Sequence, residues 1–195
     1  MRGANMADWD FAEVLERLKP GFFASETVRG LAPGESYDDL ALPLADWDAA
    51  AYPCAAPEGI RFGLYEGDRT ALREAVQQVE EDWPQYFTDE AEVYCAFAGD
   101  RPVSFAIVSD MGCLEGVRIG GPGCVGTLPE WREKGLGRRV VRDVTALLQA
   151  RGYGLSYIFY TSYTDWYKKL GYQHVLKWGR EGVIAAWPLT GTGRG

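Results

Sequence analysis

The sequence predicts an α/β (α+β) fold, in which a mixed, mostly antiparallel, twisted central sheet is flanked by helices. The first observation is the order of hydrophobic patterns after residue 59: strand, helix, three strands, helix, strand, helix and two strands. The second is the pair of tight turns at residues 99–101 and 179–182, which are typical of hairpins. The third is the composition, since 47% hydrophobic and 25% charged residues are typical of a globular domain. This order fits neither an internal repeat nor a barrel.

The first 58 residues are predicted to be an N-terminal extension packed on the core. Apolar residues at helical spacing indicate a short amphipathic helix over residues 8–18. Between residues 20 and 59 several prolines interrupt any long element, so this stretch is predicted to be loop-like. Residues 59–190 are predicted to be the main domain, and residues 191–195 a C-terminal tail.

The main domain is predicted from its periodicities in order. Asp68 can cap a helix that runs through Val79 to the break at Trp83-Pro84. A longer helix covers residues 135–150, and a short helix covers residues 164–170. Gly152 follows the long helix at a position typical of a left-handed C-cap. Alternating or β-branched apolar runs predict strands at residues 60–65, 92–98, 102–109, 117–126, 155–161, 172–178 and 183–189.

The charge and the hydropathy pattern argue against several classes of function. The net charge is −8 and the sequence pI is about 4.8, whereas a protein that coats nucleic acid needs a basic surface. No apolar run approaches the ~20 residues that span a bilayer, and the N-terminal residues lack the apolar core of a secretory signal. Neither a nucleic acid nor a membrane is therefore expected as a partner, and the expected location is cytoplasmic.

A metal site is not expected either. Cys54, Cys95, Cys113 and Cys124 show no C-x-x-C spacing, so disulfide-rich and zinc-ribbon interpretations fail. Buried, reduced thiols are the preferred interpretation. His174 is the only histidine and lies in an apparent strand, where a structural role is expected.

The two parts of the chain differ in the sign of their charge. Residues 1–117 carry 8 basic and 23 acidic side chains, a net charge of −15. Residues 118–195 carry 12 basic and 5 acidic side chains, a net charge of +7. The functional interpretation is an anionic ligand on the C-terminal part and a cationic one on the N-terminal part. The alternative is that two solvated faces simply differ in sign.

The most informative stretch is residues 125–138, where a strand ends, a short loop follows and a long helix begins. The N–H groups at a helix N-terminus lack intrahelical partners, and with the helix dipole they can bind pyrophosphate. Gly135 and Gly137 would allow close approach of the backbone. No P-loop pattern is present, and a basic helix start with chance glycines is the alternative. Positive charge comes from Arg132, Lys134, Arg138 and Arg139.

Two segments resemble motifs of the GCN5-related N-acetyltransferase (GNAT) superfamily. Residues 132–137 match its acetyl-CoA signature Q/R-x-x-G-x-G/A, and residues 166–172 resemble its F/Y-Y-x-x-x-G-F/Y segment. The resemblance covers about residues 59–190 and implies the GNAT fold, with acetyl-CoA as co-substrate and no metal. It also implies direct attack of an amine on the thioester carbonyl. The implied cofactor contacts are Val125, Thr127, Arg132, Glu133, Lys134, Gly135, Leu136, Gly137, Arg138 and Ser162.

Tyr167 matches the position of the superfamily's general acid. A phenol suits that role because it stays mostly protonated at neutral pH and can donate a proton to the CoA thiolate. A core tyrosine on a short helix is the alternative. The sequence departs from the superfamily after the fifth core strand, where 161–163 lack the usual asparagine. No general base is assigned among the candidate carboxylates Glu81, Asp82, Asp110 and Glu115.

The predicted function is an acetyl-CoA-dependent N-acetyltransferase whose acceptor is a primary amine, cationic overall. The alternatives are a catalytically silent acyl-CoA-binding or sensor module, a transferase for a different acyl-CoA, and a transferase for a protein N-terminus. A homodimer is expected from the habit of the superfamily.

Overall fold

The computed structural model describes residues 5–190, so the predicted tail at 191–195 lies outside the described residues. Within these residues the chain divides into two compact units. The first unit comprises residues 5–47, 111–120 and 152–190, and the second comprises residues 48–110 and 121–151. None of the helices between residues 5 and 190 is long and apolar enough to cross a membrane.

Eight strands form one sheet in the order β2-β3-β4-β5-β6-β1-β7-β8. Neighbouring strands pair antiparallel at β2–β3, β3–β4, β6–β1, β1–β7 and β7–β8, whereas β5 and β6 pair in parallel. The parallel register joins Ile119 to Leu155 and Gly120 to Ser156. The strands are β1 Ser36–Pro43, β2 Ile60–Leu64, β3 Val93–Ala98, β4 Arg101–Leu114, β5 Val117–Thr127, β6 Leu155–Thr161, β7 Gln173–Gly179 and β8 Gly182–Ala186.

The helices begin at the caps that the sequence indicates. Asp68 accepts a hydrogen bond from the Thr70 amide at 2.9 Å and caps α3, as predicted. Asp10 caps α1 in the same way, through the Ala12 amide at 2.9 Å. Gly152 has φ 78°, in the left-handed region expected after the long helix. The helices are α1 Phe11–Leu18, α2 Glu26–Arg29, α3 Arg69–Gln77, α4 Leu136–Ala150 and α5 Thr164–Lys168.

Strand β1 is the main difference from the sequence prediction. The stretch 20–59 was expected to be loop-like, and that expectation is wrong, because β1 lies inside the sheet between β6 and β7. Residues 39–42 of this strand are buried. Aspartate is depleted in strands, so Asp38 and Asp39 conceal the strand pattern of the apolar residues that follow them. The predicted domain boundary at residue 58 stays a prediction.

Each unit has a hydrophobic core of its own. In the first unit, Phe11 and Leu15 of α1 are buried against the sheet, and the Phe11 ring stacks on Tyr157 with centroids 5.9 Å apart. In the second unit, Leu72 and Val76 of α3 belong to a cluster that includes Phe87, Cys95 and Phe105. Burial of these apolar faces orients α1 and α3.

Candidate functional site

The loop between β5 and α4 forms the first part of the candidate site, and we call residues 127–138 the cradle. A 3-10 turn over Pro129–Trp131 follows β5, and Leu128 is buried with its N–H donating to the Val103 carbonyl at 2.9 Å. Glu133 and Gly135 then have φ values of 62° and 78°, both left-handed. A left-handed residue before a helix turns successive N–H groups toward one concavity, which is the geometry of an anion-binding nest.

Gly135 is required at the N-cap of α4 for two reasons. Its φ of 78° is one that residues with a side chain rarely adopt. A Cβ at this position would also lie 2.9 Å from the Ala55 carbonyl oxygen, which belongs to the backbone and cannot rotate away. The predicted role of this glycine, close backbone approach without a side chain, therefore fits the geometry of the loop.

Two cations of the cradle contact backbone carbonyls. Arg132 Nε donates to the Thr127 carbonyl at 3.2 Å, and Lys134 Nζ donates to the Glu130 carbonyl at 2.9 Å. Lys134 Nζ also lies 4.5 Å from the centroid of the Trp131 ring. Arg132 and Lys134 are exposed, and these contacts orient their side chains without neutralising their charge. Both remain suited to an anionic ligand.

Arg139 forms an ion pair with Asp143 of the same helix. Its Nε donates to Asp143 at 2.7 Å, and Arg142 also pairs with Asp143 at 2.8 Å. The Tyr94 hydroxyl donates to the same carboxylate at 3.1 Å. Burial, and then the charge of Asp143, raise the pKa of Tyr94 to about 12, so its phenol remains a donor. The charge of Arg139, which the sequence suggested for the phosphates, is therefore largely compensated.

The end of β5 is held by buried packing and by hydroxyls. A Cβ on Gly126 would lie 2.5 Å from the Phe105 ring, so only glycine fits beneath this ring. The Ser104 hydroxyl donates to the Gly126 carbonyl at 2.8 Å, and the Thr127 hydroxyl lies 2.8 Å from it. Thr127 was predicted to contact the cofactor, and in this structure its hydroxyl is engaged within the protein.

Two cysteines of the second unit, Cys95 and Cys124, are unreactive by environment. Burial raises the pKa of Cys95 to about 12 and that of Cys124 to about 11, so neither thiol ionises near neutral pH. Cys113, in contrast, is exposed. Within residues 5–190, no group of three or more histidine, cysteine, aspartate and glutamate side chains is placed to hold a metal ion.

The predicted cofactor contacts fall into two sets. Nine of them lie along one stretch of the second unit, and Ser162 lies in the first. The Leu136 side chain is 1% exposed, so that residue has only its backbone to offer a ligand. Val125, Gly137 and Arg138 are half-buried. The exposed members of the contiguous set are Arg132, Glu133, Lys134 and Gly135.

Tyr167 lies in α5, in the first unit. Its side chain is buried, and its ring meets Trp166 and Tyr172 edge to face, with centroids 4.8 and 5.9 Å apart. Ser162 is exposed just before this helix, and the Thr161 hydroxyl accepts the Tyr163 amide at 3.1 Å. The Thr161 hydroxyl thus holds the turn at residues 161–163, where the sequence lacks the superfamily's usual asparagine.

Two buried or half-buried carboxylates of β1 were not predicted from the sequence. Asp39 is fully buried and accepts hydrogen bonds from the Tyr157 hydroxyl at 2.6 Å, Trp178 Nε1 at 2.9 Å and the Tyr160 amide at 3.0 Å. Burial raises the pKa of Asp39 to about 6, although these donors oppose the rise. Asp38 accepts from the Thr164 hydroxyl at 2.5 Å. The available signal was an acidic pair directly before an apolar run.

Comparison with known proteins finds similarity to acetyltransferases in a family model and in solved structures. The family model described as acetyltransferase (GNAT) domain matches residues 89–174. No curated protein matches the sequence. Solved structures do match: a GCN5-related glucosamine N-acetyltransferase region of a fungal multidomain GH3 β-N-acetylglucosaminidase is 21% identical over 83% of this chain, with a TM-score of 0.61.

Two bacterial structures share the fold at similar distance. A GNAT-family acetyltransferase from Novosphingobium aromaticivorans is 22% identical over 74% of this chain, with a TM-score of 0.53. A GCN5-related N-acetyltransferase from Kribbella flavida is 18% identical over 82%, also with a TM-score of 0.53. This chain covers 22% of the fungal protein and 62% of each bacterial one, less than two thirds of each. The predicted fold is confirmed by these structures, and residues 89–174 match the family model of the acetyltransferase (GNAT) domain.

Proposed function

We propose that this protein is an acetyl-CoA-dependent N-acetyltransferase that transfers the acetyl group to a primary amine. The observation that carries the proposal is the cradle, in which a left-handed Gly135 packs against the Ala55 carbonyl at the start of α4. A Cβ would fill this space, and the helix beyond it is long enough, at 15 residues, to have a developed dipole.

In this proposal the cradle holds the pyrophosphate of acetyl-CoA. The first-turn N–H groups of α4 donate to phosphate oxygens, because those groups have no intrahelical acceptor. Arg132 and Lys134 add charge from exposed positions where their side chains are already oriented. The net charge of +7 on residues 118–195 favours the same anionic ligand.

The chemistry proposed is one direct transfer. The neutral amine attacks the thioester carbonyl, a C–N bond forms, and collapse of the tetrahedral intermediate breaks the C–S bond. The amine loses a proton to a base or to water, and Tyr167 donates a proton to the departing CoA thiolate before solvent restores its own. Tyr167 receives this role from its motif, and its side chain is buried in α5.

The acceptor is proposed to be a primary amine that is cationic overall. The N-terminal 117 residues carry a net charge of −15, which raises the local concentration of cations. Part of this acid is already compensated, since Asp89 pairs with Arg73 at 2.9 Å and Glu92 forms a bidentate pair with Arg151. The proposal therefore depends on the exposed residues Glu80, Glu81, Asp82 and Glu90. The cytoplasmic location and a homodimer stay predictions.

The test is release of CoA from acetyl-CoA in the presence of a panel of amines. The panel contains polyamines, aminoglycosides, amino acids, basic peptides and glucosamine, the last because the fungal region of the same fold is named for it. We expect turnover with at least one cationic amine. Tight binding of acetyl-CoA by calorimetry without turnover on any amine would favour the silent acyl-CoA-binding module. Turnover only with longer acyl-CoA thioesters would favour the alternative of a transferase for a different acyl-CoA.

A further inference from the structure

The N-terminal strand β1 contacts the helix that carries Tyr167. The Thr164 hydroxyl, at the first residue of α5, donates to Asp38 Oδ2 at 2.5 Å. This bond joins residues 126 positions apart in the chain. A hydrogen bond to a charged acceptor is among the stronger ones in proteins. The start of α5 is therefore tied to a side chain of the sheet.

The second oxygen of Asp38 lies near two side-chain nitrogens of β7. Asp38 Oδ1 is buried, with His174 Nε2 2.9 Å away and Lys177 Nζ 3.9 Å away. His174 Nε2 also lies 3.1 Å from the Leu176 carbonyl oxygen. Asp38 therefore lies between α5, which it meets through Oδ2, and β7, which carries both nitrogens.

Asp39 holds the chain just before α5. Tyr160 has φ 61°, a left-handed value within β6, and the register of β6 against β1 shifts at this point. An irregularity of this kind removes an amide from the strand ladder. The Tyr160 amide donates instead to Asp39 Oδ1 at 3.0 Å, so the carboxylate replaces the lost partner. Successive side chains of a strand point to opposite faces, which lets Asp38 and Asp39 serve different parts of the same turn.

The end of α5 is tied to the same N-terminal segment. Trp47 Nε1 donates to the Leu170 carbonyl at 3.0 Å, in a buried position just after the helix. Since α5 has only five residues, it is too short to be stable without tertiary contacts. The position of Tyr167 therefore depends on these two hydrogen bonds, one at Thr164 before it and one at Leu170 after it.

We propose that Asp38 and Asp39, which we call the carboxylate clamp, are positioning residues that hold the β6–α5 turn so that Tyr167 can act. The inference rests on the proposed function, because Tyr167 is the general acid only if the protein is a transferase. Asp38 acts through Thr164 and Asp39 acts through the backbone of Tyr160. Neither carboxylate needs to touch substrate.

The experiment compares Thr164→Val, which removes the hydroxyl at constant shape, with Thr164→Ser, which keeps it. The matched control is Asp165→Asn, on the same helix, where the side chain is 93% exposed. Hydrogen exchange of residues 162–171 is measured by mass spectrometry, together with kcat at saturating acetyl-CoA and the Kd for CoA. We expect at least about tenfold faster exchange in Thr164→Val, because a hydrogen bond to a charged group is worth that factor or more. Thr164→Ser and the control should resemble wild type.

A double-mutant cycle separates positioning from general stability. If Asp38 acts through Tyr167, Thr164→Val lowers kcat without changing the Kd for CoA, and it has no further effect on kcat in a Tyr167→Phe background. Unchanged hydrogen exchange would overturn the clamp, and additive losses of kcat would overturn the positioning role while leaving the transferase intact. Absence of turnover in wild type would overturn the proposed function instead, and exchange would still decide whether the clamp holds α5.

Discussion

The cradle and the carboxylate clamp are built in opposite ways, the first from backbone groups and the second from side chains. The cradle is made of backbone from one continuous stretch of 12 residues, 127–138. It requires a residue without a side chain at position 135, which is Gly135. The clamp is made of two side chains that reach partners more than 100 positions away, Asp38 to Thr164 and Asp39 to Trp178. One depends on local conformation and the other on the assembled sheet.

This difference predicts how each region responds to change. Loss of the cradle should affect ligand affinity and leave folding nearly intact, because exposed loop residues carry it. Loss of the clamp should affect folding and turnover and leave the Kd for CoA unchanged, because its groups are buried in a hydrogen-bond network. Variants of each region can therefore be compared on the same three measurements: turnover, unfolding free energy and CoA affinity.

The largest effect is expected for Tyr167→Phe, which removes only the phenolic proton donor. General acid catalysis is typically worth ~10²–10⁴-fold, so kcat should fall by that factor with the Kd for CoA unchanged. The measurement is steady-state CoA release, with calorimetry for binding. Tyr163→Phe, whose ring is 71% exposed, is the matched control. Wild-type turnover in Tyr167→Phe, with chemistry shown to be rate-limiting, would assign the proton to another group or to water.

The next largest effect concerns the pH dependence of stability at Asp39. Its folded pKa of about 6 lies above the ordinary value of 3.8, so its contribution to stability is full below pH 4 and is lost as the pH rises through 6. Asn at this position cannot ionise. The unfolding free energy of Asp39→Asn relative to wild type should therefore rise by roughly 2 kcal/mol between pH 4 and pH 7. Urea unfolding at a series of pH values measures it.

The same titration at Asp165→Asn is the control for Asp39→Asn, since that carboxylate lies on the exposed face of α5. A difference between Asp39→Asn and wild type that does not change with pH would contradict the prediction. Such a result would mean that the donors from Tyr157, Trp178 and Tyr160 fully offset the burial of the charge.

The contrast between the two regions also explains what could be predicted from the sequence. The cradle was found because its signal is local: a strand, two glycines and basic residues precede an apolar periodicity of 3.6. The cap at Asp68 and the glycine after α4 were found for the same reason. Order along the chain thus sufficed for most elements of the fold.

Strand β1 was missed because its evidence is not local. Asp39 is tolerated in a central strand only because Tyr157 and Trp178 supply donors from β6 and β7. No residue close to Asp39 in the sequence indicates those partners, and the prolines on either side favour a loop. The engagement of Arg139 by Asp143 was missed although the residues are four apart, because the half-buried Tyr94 hydroxyl that contacts Asp143 comes from β3.

A smaller effect is expected at the N-cap of α4. Alanine in a left-handed conformation costs about 1–2 kcal/mol, and at Gly135 its Cβ would also meet the Ala55 carbonyl. We expect Gly135→Ala to raise the Kd for CoA about tenfold, measured by calorimetry. Gly152→Ala is the matched control, because Gly152 has the same φ of 78° with nothing within 4 Å of its Cβ position. Equal loss of affinity in both variants would trace the effect to stability and would exclude the cradle.

The smallest effect is expected for salt, and it concerns the acceptor. Surface charges are screened over ~8 Å at physiological ionic strength, so attraction of a cationic amine should weaken as salt is added. We expect kcat/KM for a polyamine to fall a few-fold between low and physiological salt, while that for a neutral amine stays constant. Replacing Glu81 and Asp82 together by their amides should remove this salt dependence.

Matched removal of charge elsewhere decides whether the attraction is local. Glu13 and Glu26 are exposed on the first unit, and replacing both by glutamine changes the net charge by the same amount as the Glu81 and Asp82 amides. If this pair alters the salt dependence equally, the whole-protein charge of −8 attracts the amine. If only the pair at Glu81 and Asp82 does so, the acceptor approaches along the chain after α3, because screened interactions fall off within a Debye length.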